Sequence, residues 1–190
     1  MDRSSGYEAI ASEFLLHRSS GTGVNEVRNW ARTLPRGGSV LDLGCGSGVP
    51  LTSVLVEEGL EVFAVDASPT LVDAFMQNLP GTPIVCEAVQ TSSLFNRSFD
   101  AVLAWGLMFL LEPEDQSRLI RRVGEILAPN GRFLFTSPAE SCAWHDAMTG
   151  LQSVSLGADK YRLLLDAAGV TVKSEFLNEG QNYYFDAYKS

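Results

Sequence analysis

At 190 residues, 45% of them hydrophobic, the chain is long enough to bury one continuous core and is expected to form a single domain over residues 1–190. A formal net charge of −9, with no basic run longer than Arg121-Arg122, sets the surface against phosphate backbones and disfavours nucleic acid as a partner. Met1 to Gly21 mixes charges, serines and aromatics without a long apolar run, and Cys45, Cys86 and Cys142 show neither a CxxC pair nor zinc-ligand spacing; a cytoplasmic protein without membrane span, disulfide framework or metal is expected.

Short apolar runs alternate with stretches of helical period. Pro35-Arg-Gly-Gly38 leads into a first strand at Ser39-Val-Leu-Asp-Leu-Gly44, followed by a helix over Val49 to Glu58 that stops at Gly59. A strand at Leu60 to Val65, a helix over Pro69 to Leu79 and a strand at Thr82 to Val85 come next. Gln90 to Ser98 reads only as a loop or helical turn before a strand at Phe99 to Trp105. From Glu114 to Leu127, a helix sets Leu119, Ile120, Val123, Ile126 and Leu127 on one stripe, and Ala128-Pro-Asn-Gly131 turns the chain into a strand at Arg132 to Phe135.

A long connection, Ser137 to Ser155, precedes a helix through Tyr161, Leu164, Leu165 and Ala168. The last runs, Val170 to Phe176 and Asn182 to Tyr188, are spaced for an antiparallel hairpin through Asn178-Glu-Gly180. Strands separated by helices make right-handed parallel crossovers, and strands without strict alternation are covered on both faces. The expected fold class is therefore α/β: a Rossmann-like, doubly wound sheet, mostly parallel with a C-terminal antiparallel strand and helices on both faces.

In such a sheet a ligand lies outside the carboxyl ends of the strands where their order reverses, and the first strand runs directly into Gly44-Cys-Gly46-Ser-Gly48. Glycines let backbone approach a ligand, although a tight strand-to-helix turn alone would also call for them. Asp42 stands inside that apolar strand, where a buried carboxylate needs donors or a cation, so it favours a cationic ligand over a pyrophosphate. Asp66 ends the second strand, from where a carboxylate can accept bonds from both hydroxyls of a ribose; Ser68, just before Pro69, is the better helix cap. Glu87, after the third strand, could meet an adenine amino group beside the backbone of Ala88, or be a solvated loop acid.

Taken together, Val40-Leu-Asp-Leu-Gly-Cys-Gly-Ser-Gly48, Asp66, Phe99-Asp-Ala-Val-Leu-Ala-Trp105, Leu127-Ala-Pro-Asn-Gly-Arg-Phe133 and the closing hairpin resemble the class I S-adenosylmethionine-dependent methyltransferases, small-molecule type. The resemblance runs from about Tyr7 to the C-terminus. It implies that S-adenosylmethionine is bound and S-adenosylhomocysteine released, with Gly44 and Gly46 at the methionine end, Asp66 on the ribose and Ala67 near the adenine. Glu87 and Ala88 would read the adenine edge, although the family usually carries Asp at the first position and Gly where this chain has Cys86. The carbonyl near Ala104 would face the cofactor ammonium. Tyr7-Glu-Ala-Ile-Ala-Ser-Glu-Phe14 with Arg18 is similar to the family's N-terminal lid, so Tyr7, Phe14 and Arg18 would close over the cofactor and residues 1–37 would form lid helices ahead of a core over 38–190.

Methyl transfer to a small molecule mainly requires alignment of a lone pair with an activated carbon and exclusion of water. Where a base is used, His145 is the candidate, with Asp146 as its orienting partner; a surface histidine is the plainer alternative. Trp105, Phe109, Trp144 and Tyr183 are candidates for an aromatic acceptor wall suited to a flat or cationic molecule; Tyr183 and Tyr184 cannot share a face. A cofactor-binding scaffold without catalysis and a nicotinamide-dependent oxidoreductase are the alternatives; GxGxG spacing, Asp42 and the closing hairpin weigh against the second.

Overall fold

The computed structural model describes residues 4–17 and 21–190. In chain order its helices and strands are α1 (Ala11–His17), α2 (Val24–Ala31), β1 (Ser39–Leu43), α3 (Leu51–Glu57), β2 (Glu61–Asp66), α4 (Pro69–Asn78), β3 (Ile84–Cys86), β4 (Phe99–Ala104), α5 (Pro113–Ile126), β5 (Leu127–Thr136), β6 (Ser141–His145), β7 (Gln152–Leu156), α6 (Ala158–Ala167), β8 (Val170–Leu177) and β9 (Tyr183–Lys189). Seven strands form one sheet in the order β3-β2-β1-β4-β5-β9-β8. Its pairings are parallel except that β9 runs antiparallel to both β5 and β8. This is the expected doubly wound sheet with its antiparallel C-terminal strand.

The alternation of side chains along the strands divides the core into two faces. On one, Leu41 and Leu43, Val102 and Ala104, and Phe133, Phe135 and Phe185 pack with Leu119, Ile120 and Val123 of α5 and with Tyr161 and Leu165 of α6. On the other, Val40, Ala101, Leu103, Leu134 and Tyr184 meet Val27, Trp30 and Ala31 of α2 and Val54 and Leu55 of α3. Phe135 stacks on Phe185 with ring centroids 4.6 Å apart and planes 8° from parallel, which ties β5 to β9 at the centre of the first face. Of the apolar stripe foreseen for residues 114–127, Leu119, Ile120 and Val123 form the buried face of α5 and Ile126 is partly buried, whereas Leu127 already opens β5.

Two departures from the sequence reading bear on the site. The stretch 137–155 is not a plain connection: β6 and β7 pair antiparallel as a separate two-stranded sheet. β6 is mostly exposed and shows no apolar alternation, and the buried positions of β7 are Ser153 and Ser155, so neither strand leaves the apolar-inward pattern of a core strand in the sequence. The N-terminal helices also divide in role. Phe14 of α1, with Tyr7, packs on Leu71 of α4, whereas α2 belongs to the core of the second face. Among the described residues no helix is long and apolar enough to cross a membrane.

Candidate functional site

The carboxyl ends of β1, β2 and β4 open into a cavity of about 300 Å³. Gly44, Cys45 and Gly46 form its floor after β1, Asp66 and Ala67 its side after β2, and Trp105, Gly106 and Leu107 the far wall after β4. Tyr7 and Phe14 close it from the N-terminal segment, their rings meeting edge to face at 5.4 Å. Phe109, Asp146 and Met148 line the end nearer the β6–β7 hairpin.

Asp66 is the centre of this geometry. It is 8% exposed, and its Oδ2 accepts the Gly46 backbone N–H at 2.8 Å while Oδ1 accepts that of Ser68 at 2.9 Å. Burial raises its carboxyl pKa, the amides of Ser68, Gly46 and Ala67 oppose the rise, and the neighbouring Glu8 charge adds to it. Gly46 has φ of +58°, in the left-handed region that glycine adopts without strain, and a Cβ there would meet Phe14 Cε1 at 3.7 Å. The turn is held from behind as well, since Gly44 N–H donates to the Val65 carbonyl at 2.8 Å. Ser68 caps α4 as its position before Pro69 suggests, accepting the Leu71 N–H at 3.2 Å.

Glu8 joins the N-terminal segment to this corner. Its carboxylate accepts from the Ser68 hydroxyl, and from the Thr70 backbone N–H at 3.2 Å and Thr70 hydroxyl at 2.8 Å. The segment also touches the hairpin, for a Cβ on Gly6 would lie 2.9 Å from Leu151 Cδ1, and it touches the stretch after β4, where Ser5 Oγ donates to the Leu110 carbonyl at 3.1 Å. The N-terminal segment and the hairpin thus meet over one opening.

Several sequence candidates occupy other places. Asp42 is 3% exposed on β1 and is not among the residues that line the cavity; it accepts a 2.6 Å bond from the Thr52 hydroxyl of α3, an internal donor for a carboxylate in an apolar strand. Glu87 and Ala88 do not line the cavity either. Ala88 turns the chain by accepting the N–H groups of Thr91 and Ser92, and Glu87 reaches the Ser93 N–H at 3.3 Å, so the wall is made by Val89 and Gln90. Ala104 is fully buried at the end of β4, and the lining begins one residue later at Trp105. Arg18 lies outside the described residues.

The proposed acid–base pair does not assemble. His145 is exposed at the end of β6, and Asp146 Oδ1 instead accepts the Met148 and Thr149 N–H groups and the Thr149 hydroxyl, closing the hairpin turn. Trp144 stands behind the wall, its ring 5.4 Å from that of Phe109. Tyr183 faces the α5–α6 side of the sheet, packs on Phe185 and donates its hydroxyl to Glu175 at 2.8 Å. Strand parity assigns Tyr184 to the opposite, α2–α3 face, where it is fully buried and its hydroxyl accepts the Nε1–H of the cavity-lining Trp105 at 2.9 Å.

Other residues of the site left little local signal. Cys45 is read from the sequence only as a turn residue; burial, followed by the charges of Asp42 and Asp66, holds its thiol pKa well above the ordinary value, so it remains protonated. Arg122 of α5 donates to the carbonyls of Val89 at 2.8 Å and Gln90 at 3.3 Å, and also to that of Ser92, fixing the loop that carries the Val89–Gln90 wall. Among the described residues, no group of three or more His, Cys, Asp or Glu side chains is arranged to hold a metal ion.

This geometry has counterparts. Residues 22–175 match the family model for a methyltransferase domain, and the chain belongs to that family. It is 40% identical over 93 residues to an uncharacterized methyltransferase of Mycobacterium tuberculosis, covering 49% of this chain and 37% of that protein. It is 34% identical over 156 residues to the cypemycin N-terminal methyltransferase of a Streptomyces species, covering 76% of this chain and 61% of that protein. The matched parts are therefore under two thirds of either relative's length. Among solved structures, the magnesium protoporphyrin IX methyltransferase of Synechocystis with bound SAH superposes with a TM-score of 0.80 at 15% identity, covering 100% of both chains. At that identity the likeness is one of fold, and the fold is that of the class I S-adenosylmethionine-dependent methyltransferases.

Proposed function

We propose that this chain binds S-adenosylmethionine in the cavity at the ends of β1, β2 and β4 and transfers its methyl group to a small-molecule acceptor, releasing S-adenosylhomocysteine. The observation that carries the reading is Asp66: a buried carboxylate fixed by the Gly46 and Ser68 amides at the rim of a cavity whose glycine floor leaves room for a ligand. Each carboxylate oxygen has further lone-pair capacity, which suits the two hydroxyls of a ribose. When bound, S-adenosylmethionine would supply a methyl carbon activated by its sulfonium.

The chain's own residues would then bind, orient and exclude water. Gly44 and Gly46 present backbone to the methionine end, Val89 and Gln90 flank the adenine, and Ala67 packs against it. Tyr7 and Phe14 cover the site, while Glu8 fastens that cover to the start of α4. Trp105, Leu107 and Phe109 face the acceptor side and keep it apolar, which strengthens alignment and shuts out bulk water. The Synechocystis neighbour is named for a small-molecule acceptor, which supports the same class of acceptor here.

Incubating the purified chain with methyl-labelled S-adenosylmethionine and a chemically diverse small-molecule library tests the reading. Label should appear in a small acceptor with stoichiometric S-adenosylhomocysteine. Tight cofactor binding with no label transfer, together with a stable protein partner in pull-downs, would instead favour a scaffold.

A further inference from the structure

The acceptor end of the cavity has a chemistry of its own. Phe109 lines it, backed by Trp144 at 5.4 Å and 48° between planes, with Trp105 and Leu107 alongside. Aromatic faces carry negative quadrupole and attract organic cations. Asp146 lines the same end at the hairpin turn, and Asp66 lies deeper. An anionic acceptor would meet two carboxylates there, so the site favours a neutral or cationic molecule.

The titratable side chains among the described lining residues are Tyr7, Cys45, Asp66 and Asp146. No imidazole or amine is among them; Tyr7 belongs to the cover, Cys45 stays a protonated thiol, Asp66 is assigned to the ribose, and Asp146 Oδ1 is engaged by three donors of its own turn. An alcohol needs its proton removed at the moment of attack, and this set is poorly suited to remove it. An amine held at the cavity end as its ammonium can give its proton to solvent water before attack, so that its lone pair is free without a protein base.

Building on the methyl-transfer reading, we propose that the acceptor is an amine on an aromatic or apolar frame, attracted as a cation to the Phe109, Trp144 and Asp146 end and methylated as its free base. Its nitrogen lone pair forms the bond to the methyl carbon while the carbon–sulfur bond breaks, leaving that electron pair on sulfur. The positive charge passes from sulfur to nitrogen, and the product ammonium later releases a proton to water.

The test uses the whole chain saturated with S-adenosylhomocysteine, titrated with 2-phenylethylamine, 2-phenylethanol and 3-phenylpropionate while tryptophan fluorescence is followed. The amine should bind at least about five-fold tighter than the alcohol, and the carboxylate weakest. Asp146→Asn keeps an Oδ1 acceptor for the turn and removes the charge, so it should reduce the amine's lead over the alcohol by about half or more. With labelled S-adenosylmethionine, the midpoint of rate against pH should follow the pKa across a series of substituted amines. Equal binding of the three probes, binding of none of them, a lead unaffected by Asp146→Asn, or a midpoint fixed across the series would overturn the proposal. Failure of S-adenosylhomocysteine itself to bind in the initial saturation would instead overturn the methyl-transfer reading.

Discussion

Gly46 donates its backbone N–H to Asp66 Oδ2 at 2.8 Å, joining the glycine-rich turn after β1 to the end of β2 across 20 residues of sequence. The bond aims the carboxylate into the cavity and holds the turn that forms its floor. Asp66→Asn replaces one acceptor oxygen with an amide nitrogen that cannot accept from Gly46 or Ser68. Affinity for S-adenosylmethionine should fall about ten-fold or more, read by calorimetry beside a melting curve that shows the variant folded. Unchanged affinity would remove Asp66 from the ribose contact.

The same carboxylate sets a pH dependence. Burial raises the Asp66 pKa above its ordinary value, so the folded protein takes up a proton at higher pH than the unfolded chain does. Its contribution to stability is therefore most favourable below the unfolded pKa and declines as pH rises through the folded one. Cofactor affinity should run the other way, weak where Asp66 is protonated and rising to a plateau once it ionises. Titrations across the acid range should show that rise in the native protein and lose it in Asp66→Asn.

Gly48 separates stability from binding. Its φ is +78°, and a Cβ there would lie 2.7 Å from both Phe75 and Leu79 of the α4 region, outside the cavity. Gly48→Ala should cost about 2–4 kcal/mol in chemical denaturation. Cofactor affinity, measured well below the melting temperature, should change by less than about three-fold.

How far the site can be read from sequence depends on whether a residue's role is local. The glycine turn, Asp66 and the Ser68 cap each lie where a strand becomes a helix, so a few adjacent residues announce them. Glu87 illustrates the limit: its position after β3 is legible, but the turn made by Ala88, Thr91 and Ser92 moves the wall on to Val89 and Gln90. The β6–β7 hairpin was hidden because Ser141-Cys-Ala-Trp-His145 has no alternation of apolar residues, and with it went the true role of Asp146. Tyr183 and Tyr184 could be assigned to opposite faces, but which face belonged to which depended on the register of β9 against β5.

Arg122 is the clearest long-range case, since it acts 30 to 33 residues from the carbonyls it holds. Arg122→Met should loosen the Val89–Gln90 wall and weaken cofactor binding about five- to ten-fold, with Arg122→Lys intermediate because one ammonium cannot span three carbonyls. Hydrogen exchange should accelerate in residues 89–92 of the variant while the strands keep their protection. Unaltered exchange and affinity would show that the loop needs no such clamp.

Trp105 is held against β9 by Tyr184, whose phenol burial pushes up to about 12. Tyr184→Phe removes the acceptor of the indole N–H and should cost about 1–2 kcal/mol of stability. The cavity wall at Trp105 should become more mobile, seen as a change in tryptophan fluorescence and a lower affinity for aromatic probes. A variant matching the native protein in both would show that the bond does not position the wall.

The central claim is that the cavity beside Asp66 takes an adenosyl ligand, and calorimetric titration of the purified chain with S-adenosylmethionine, S-adenosylhomocysteine and NAD tests it most directly. Saturable one-to-one binding of the two adenosyl ligands, with no heat from NAD, is the predicted result. Binding of NAD alone, or of none of the three by protein freed of carried-over ligand, would contradict it.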